Sequence, residues 1–225
     1  MPLVLVPGFM LDREMWSDLA PRLLPFGPLV HADPAAGASI EELARRTLEA
    51  APERFDLVGF SMGGYVAREM VRQAPERVGR LVLIATSARG DGALQARRQS
   101  EAESGARTTY AGLSRRAIAR SLAPAREQDA ALVERIHAAG LRLGAETFRR
   151  QSAFHRTGDA DRLGAIRCPT LVVAGRHDRL RSLEESEELH AGIPGSEFVV
   201  LDAGHMVPME APDALAPLLE AFLRR

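Results

Sequence analysis

Six short apolar runs punctuate this chain, at Leu3 to Val6, Leu29 to Ala32, Phe55 to Phe60, Arg80 to Ala85, Thr170 to Gly175 and Glu197 to Leu201, and helical patterns separate them. No other feature narrows the fold so far. A run that is apolar on both alternating faces needs cover on both sides, and parallel neighbours need crossovers of a dozen residues or more, which helices supply. The pattern predicts an α/β fold: a mostly parallel, doubly wound sheet of about six strands. Ile40 to Ala50 reads as one crossover helix, since Ser39 can cap it and Glu42 stands three residues on, in capping-box register. Tyr65 to Ala74 reads as another, stopped by Pro75.

At 225 residues, one α/β domain can still bury a single core, so the whole of 1–225 is expected to form one domain. The charge is nearly balanced, 29 basic against 30 acidic residues, which leaves no overall field to hold nucleic acid or an anionic membrane. Every basic residue is arginine, and nothing functional follows from that. The lone cysteine, Cys168, cannot form an internal disulfide, and at a strand entry before Pro169 it reads as an inert buried thiol. The first residues enter Leu3-Val4-Leu5-Val6 directly, without a basic region or a long apolar run, so a cytoplasmic protein is expected.

Between about Ser87 and Arg162 the strand signals vanish and amphipathic helical patterns rich in Arg, Ala, Glu and Gln replace them. Residues 87–162 are therefore expected to be a helical insertion that leaves the sheet and returns to it at Thr170. Its place above the carboxyl ends of the strands makes it a candidate lid. From Ala88 to Ala165 it carries 14 Arg against 9 acids. Most of these should lie on solvated helix faces and pair with nearby acids, although one or two could face a pocket and grip a distal carboxylate.

Gly59-Phe60-Ser61-Met62-Gly63-Gly64 joins the third run to the second helix, so a G-x-S-x-G pattern stands in a strand-turn-helix context. The chemistry needs this arrangement. A serine lifted onto a tight turn requires neighbours without side chains, because Cβ atoms at Gly59 and Gly63 would meet the turn and the adjoining strands. The helix that follows presents free N–H groups and partial positive charge, with the amide of Met62 first in line for a developing oxyanion.

These residues, in this order of elements, resemble the α/β-hydrolase superfamily over nearly the whole chain, and the likeness is to small esterases and enol-lactonases with a short helical lid. The resemblance implies an acid after a late strand and a histidine after the last one. Leu171-Val172-Val173-Ala174-Gly175-Arg176-His177-Asp178 supplies the acid as Asp178. Phe198-Val199-Val200-Leu201-Asp202-Ala203-Gly204-His205 supplies the base as His205. Serine is a poor nucleophile at its ordinary pKa, so an imidazole must take its proton and a carboxylate must hold that imidazole in the right tautomer. Ser61, His205 and Asp178 are assigned those roles. His177 should point elsewhere, and Asp202 is the rival acid, placed where a structural role is expected.

By the same resemblance the second oxyanion donor comes from the loop after the first strand, Val6-Pro7-Gly8-Phe9-Met10-Leu11-Asp12. Pro7 stands where the family often has His, a departure that leaves the backbone amides intact. The amide of Phe9 is the expected donor, and Phe9 with Met62 is expected to line the acyl pocket. Trp16 reads as a packing residue.

The implied activity is hydrolysis of a small carboxylic ester through an acyl-enzyme. Alternatives with the same triad are lactone, thioester or carbon–carbon bond hydrolysis and cofactor-free peroxidation, and a non-enzymatic ligand-binding relative stands outside them. Epoxide hydrolase or dehalogenase chemistry is disfavoured, because it requires Asp where this chain has Ser61. No cofactor and no metal are expected, since the six His are scattered without ligand spacing. The expected partner is a small ester or lactone, with no nucleic acid and no membrane. Oligomeric state is not legible.

Overall fold

Each apolar run becomes a strand, and the strands lie side by side in one sheet. The computed structural model describes residues 1–90, 92 and 110–225. Its strands are β1 (Leu3–Val6), β2 (Leu29–His31), β3 (Phe55–Phe60), β4 (Val78–Ile84), β5 (Thr170–Gly175) and β6 (Glu197–Leu201). They pair in the order β2-β1-β3-β4-β5-β6, all in parallel. The expected ends move slightly. β4 begins at Val78, not Arg80, and stops at Ile84 because Ala85 turns to φ +48°. Ala32 lies just past β2, although its amide still donates to the Leu5 carbonyl at 3.0 Å.

The alternation along β1 divides the core in two. Leu3 and Leu5 face one layer, with Trp16, Val58, Val173 and Leu219, while Val4 and Val6 face the other, with Leu43, Val66, Met70 and Phe154. Trp16 is fully buried, as a packing residue should be. Helix α1 (Ala20–Leu23) follows the first strand, and α2 (Ile40–Ala50) and α3 (Met62–Gln73) cover the second layer. In α2 the Ser39 hydroxyl accepts from the Glu42 amide at 3.1 Å. Glu42 answers from one residue further out than a capping box requires, accepting from Ala38 at 3.0 Å. Helix α3 starts at Met62, three residues before the expected Tyr65, because Gly63 and Gly64 obscure a helix start that tertiary packing supplies.

Among the described residues of 87–162 there is no strand. Helices α4 (Arg115–Ser121) and α5 (Ala130–Ser152) occupy this stretch, α5 with a kink at Gly144 (φ +76°). Residues 91 and 93–109 of the expected insertion lie outside the described residues. Ile118, Leu122, Leu132, Val133 and Ile136 join the first core layer beside Leu11, Met15 and Met209. At the far end, Arg68 on α3 is 2% exposed and grips Asp159 through two bonds of 2.8 and 2.9 Å while donating to the Ser87 carbonyl at 2.8 Å. One guanidinium thus ties the departure and the return of the insertion to α3. The chain closes with α6 (Leu183–Gly192), α7 (Val207–Glu210) and α8 (Pro212–Leu223). No helix among the described residues is long and apolar enough to cross a membrane.

The crossing of α3 over β1 is set by a hydrogen atom. A Cβ at Gly63 would stand 2.3 Å from the Val6 carbonyl oxygen and 2.6 Å from that of Pro7. Both obstacles are backbone and cannot rotate aside. Gly63→Ala is therefore expected to cost at least about 1–3 kcal/mol, the scale of overpacking, read as a lower urea midpoint at unchanged m-value.

Candidate active site

Ser61 stands between β3 and α3 at φ +51°, ψ −113°, where a residue with a Cβ is strained. Three bonds hold it there. Its amide donates to the Ile84 carbonyl at 2.9 Å, and its carbonyl accepts from the Thr86 hydroxyl at 2.7 Å and the Gly64 amide at 3.0 Å. Gly64 lies hard against Thr86, with room for no side chain. The turn leaves the Ser61 side chain at the carboxyl edge of the sheet.

The loops after β5 and β6 reach the same point. His205 Nε2 lies 2.9 Å from Ser61 Oγ, and His205 Nδ1 lies 2.8 Å from Asp178 Oδ2. An ionised carboxylate only accepts, so Nδ1 carries the proton and donates to Asp178, leaving Nε2 to accept from the serine hydroxyl. The other Asp178 oxygen accepts from the amides of Leu180 and Arg181 at 2.7 and 2.9 Å. With its side chain 1% exposed, that carboxylate is fixed from both sides. His177 turns outward, as expected, and Asp202, the rival acid, pairs with it at 2.8 Å in an exposed position.

On the opposite side, Met62 is the first residue of α3, where an amide has no acceptor within its own helix. The loop carrying Phe9 comes close to Ser61, since a Cβ on Gly8 would stand 2.9 Å from the Phe60 ring and 3.3 Å from Ser61 Cβ. Phe9 meets Phe148 of α5 edge to face at 5.8 Å, and Tyr110 lies 5.2 Å from the same ring. Arg142 holds Asp12 bidentately at 2.7 and 3.0 Å. Burial alone would raise the Asp12 carboxyl, but Arg142 and the Glu14 amide hold it below the ordinary carboxylate range.

Two buried polar residues near these loops were not singled out in the sequence. Glu210 accepts from the amides of Ala123 and Gly204 with one oxygen, at 2.7 and 3.1 Å, and from Met206 with the other, at 2.9 Å. It braces the His205 turn from both sides, while the His205 amide donates to the Ser121 carbonyl at 2.7 Å. Its signal was faint: an acid five residues past a histidine at the end of an apolar run. Gln151 accepts from the Met10 amide at 2.8 Å, and nothing local in its helix marks it.

Several described arginines of the insertion pair with acids. Arg115, Arg126, Arg135, Arg142 and Arg150 each pair with a carboxylate: Glu134, Asp129, Asp18, Asp12 and Glu146. Cys168 is half-buried, not fully buried, and burial pushes its thiol up, which keeps it unreactive. Among the described residues no group of three His, Cys, Asp or Glu could hold a metal ion.

The profile of the alpha/beta hydrolase fold matches residues 40–212. A pimeloyl-[acyl-carrier protein] methyl ester esterase of Photobacterium profundum is 37% identical over 95 residues, 39% of this chain and 37% of that protein. The match thus spans little more than a third of that curated relative's length. Over the full chain, a thermophilic esterase from Thermogutta terrifontis, solved with malate bound, superposes with a TM-score of 0.86 at 30% identity, covering 89% of that protein. The enol-lactonase of Burkholderia xenovorans LB400 superposes over 100% of this chain and 92% of its own with a TM-score of 0.83, and at 21% identity it shares the fold.

Glu210→Gln places an NH2 against backbone donors that now have an acceptor. The buried amide left unsatisfied is expected to cost about 1–3 kcal/mol, measured by urea unfolding. Asp202→Asn, at an exposed pair, should stay within about 0.5 kcal/mol of wild type.

Proposed function

Because the chain belongs to the alpha/beta hydrolase fold family, we propose that it is a serine hydrolase of small carboxylic esters working through an acyl-enzyme. The observation that carries this reading is the unbroken hydrogen-bond chain from Ser61 Oγ through His205 to Asp178, at 2.9 and 2.8 Å. Its partners are correct in type and in spacing for nucleophilic catalysis.

Ser61 attacks the ester carbonyl as its proton passes to His205 Nε2. Asp178 stabilises the imidazolium that forms without taking the proton itself. The carbonyl oxygen, now an alkoxide, is held by the amides of Met62 and Phe9, the first strengthened by the α3 N-terminus. His205 then gives its proton to the leaving alcohol. Water, deprotonated by the same imidazole, attacks the acyl-enzyme, and the imidazolium returns that proton to Ser61 Oγ as the acid departs. Phe9 and Met62 line the acyl side, and the described helices α4 and α5 stand against the loops around it and help to exclude competing water. The expected substrate is a small ester or lactone, a class in keeping with the esterases it resembles. A cytoplasmic setting agrees with a single cysteine that has no internal partner.

A fluorophosphonate probe and a series of acyl esters and lactones test the reading. Ser61→Ala should abolish both labelling and turnover while thermal unfolding is unchanged, because the hydroxyl contributes chemistry and not packing. Asp178→Asn should lower kcat by roughly 10³- to 10⁴-fold through loss of the correct imidazole tautomer. Asp202→Asn should leave kcat within about threefold of wild type, the scatter of ordinary surface substitutions. Near-normal turnover by Ser61→Ala would remove the proposal.

A further inference from the structure

Gln151 lies near the end of α5, 2% exposed, and spans two loops at the carboxyl edge of the sheet. Its Oε1 accepts from the Met10 amide at 2.8 Å, and its Nε2 donates to the Pro34 carbonyl at 2.9 Å. Near it α5 touches the Phe9 to Asp12 loop twice more, through Phe148 on Phe9 and, before the Gly144 kink, through Arg142 on Asp12. Arg150 donates to the Ala35 carbonyl at 2.5 Å beside Pro34.

Met10 is fully buried at φ +54°, a left-handed conformation that an L residue keeps only where its surroundings demand it. Its amide belongs to the peptide that leaves Phe9, so the bond to Gln151 fixes the torsion on one side of the Phe9 Cα. The Phe9 N–H lies on the other side of that carbon. Without the acceptor, the Phe9–Met10 peptide can rotate, Met10 can leave the left-handed region, and the Phe9 amide loses its aim.

We propose that Gln151 is a positioning residue that holds the Phe9 amide toward the oxygen carried by the Ser61 adduct, so that the helical insertion completes one half of the oxyanion site. This rests on the reading of Ser61 as nucleophile and Phe9 as donor. The contribution exists only when negative charge develops on the substrate oxygen, which separates it from a residue that merely lines the pocket.

The test compares wild type, Gln151→Met and Gln151→Glu on a short-chain p-nitrophenyl ester and on a fluorophosphonate, with folding checked by near-ultraviolet circular dichroism. Gln151→Met should lose about 10- to 100-fold in kcat, short of the ~10²- to 10³-fold lost when a donor is deleted outright, with KM within about threefold. Fluorophosphonate labelling should slow by the same factor, since its phosphoryl oxygen uses the same donors. Gln151→Glu keeps the volume and the acceptor for Met10, but an ionised carboxylate also faces the Pro34 carbonyl oxygen, whereas a protonated one donates to it. Its kcat relative to wild type should therefore rise as pH falls from about 8 to about 5, a range reached by a carboxyl raised through burial. If Gln151→Met does not fold, that pH-dependent ratio decides alone. The inference is overturned by a folded Gln151→Met with kcat within threefold of wild type, by a rise in KM at constant kcat, or by a flat Gln151→Glu ratio. Where Ser61→Ala is dead and Ser61 takes the probe, such a result removes Gln151 alone; if Ser61→Ala turns over, the parent reading fails with it.

Discussion

The strained backbone at Ser61 is the point on which the rest of the structure depends. A residue with a Cβ leaves φ +51° unless its neighbours over-determine it, and here they do so with three hydrogen bonds and two side-chain-free contacts. Gly63 lets α3 press on the Val6 and Pro7 carbonyls, and Gly64 lets it press on Thr86. Those contacts set the helix so that its N-terminus stands directly behind the serine. If either glycine gained a methyl, the helix would have to retreat, and the serine with its nearby amides would go with it.

Around that turn, the sheet order does the gathering. β3 sits between β1 and β4, with β5 and β6 beyond, so the loops after β1 and after β5 and β6 converge on Ser61 from opposite sides. The loops themselves are irregular backbone and need outside partners for their polar groups. Asp178 takes two amides of its own turn, and Glu210 takes amides on either side of His205. The Met10 amide goes to Gln151.

The insertion is thus bound to the site at several places. The Ser121 carbonyl takes the His205 amide, and the Ala123 amide goes to Glu210, which braces the same turn. Gln151, Phe148 and Arg142 hold the loop after β1, and Asp159 returns to Arg68 on α3. The described helices α4 and α5 share the first core layer with the strands. The described part of the insertion is thereby fastened to the loops around Ser61 through α4 and α5. Its arginines serve that attachment, since Arg135 and Arg142 cross to Asp18 and Asp12 near the start of the chain.

The six strands, their crossover helices and the turn at Ser61 were legible because each rests on a local property: periodic apolar burial, a cap, a glycine where no Cβ fits. The acid and the histidine were assigned by the family resemblance. Helix α2 kept its expected ends for such a local reason, whereas Asp178 was set apart from Asp202, which also follows a strand, by the order of elements that the family resemblance implies. What could not be read was whatever depends on atoms far apart in sequence. The start of α3 was hidden because its glycines are poor helix formers held by packing on β1. Glu210 and Gln151 looked like ordinary polar residues of helical segments, since each takes an amide from far along the chain, 87 and 141 residues away. Charge counts gave the insertion a surplus of arginine, but only the fold decided which acids Arg115, Arg126, Arg135, Arg142 and Arg150 meet. Hydrophobic period and turn chemistry act over a few residues and so are written in the chain, whereas burial of a single polar group is fixed by whatever the folded backbone brings against it.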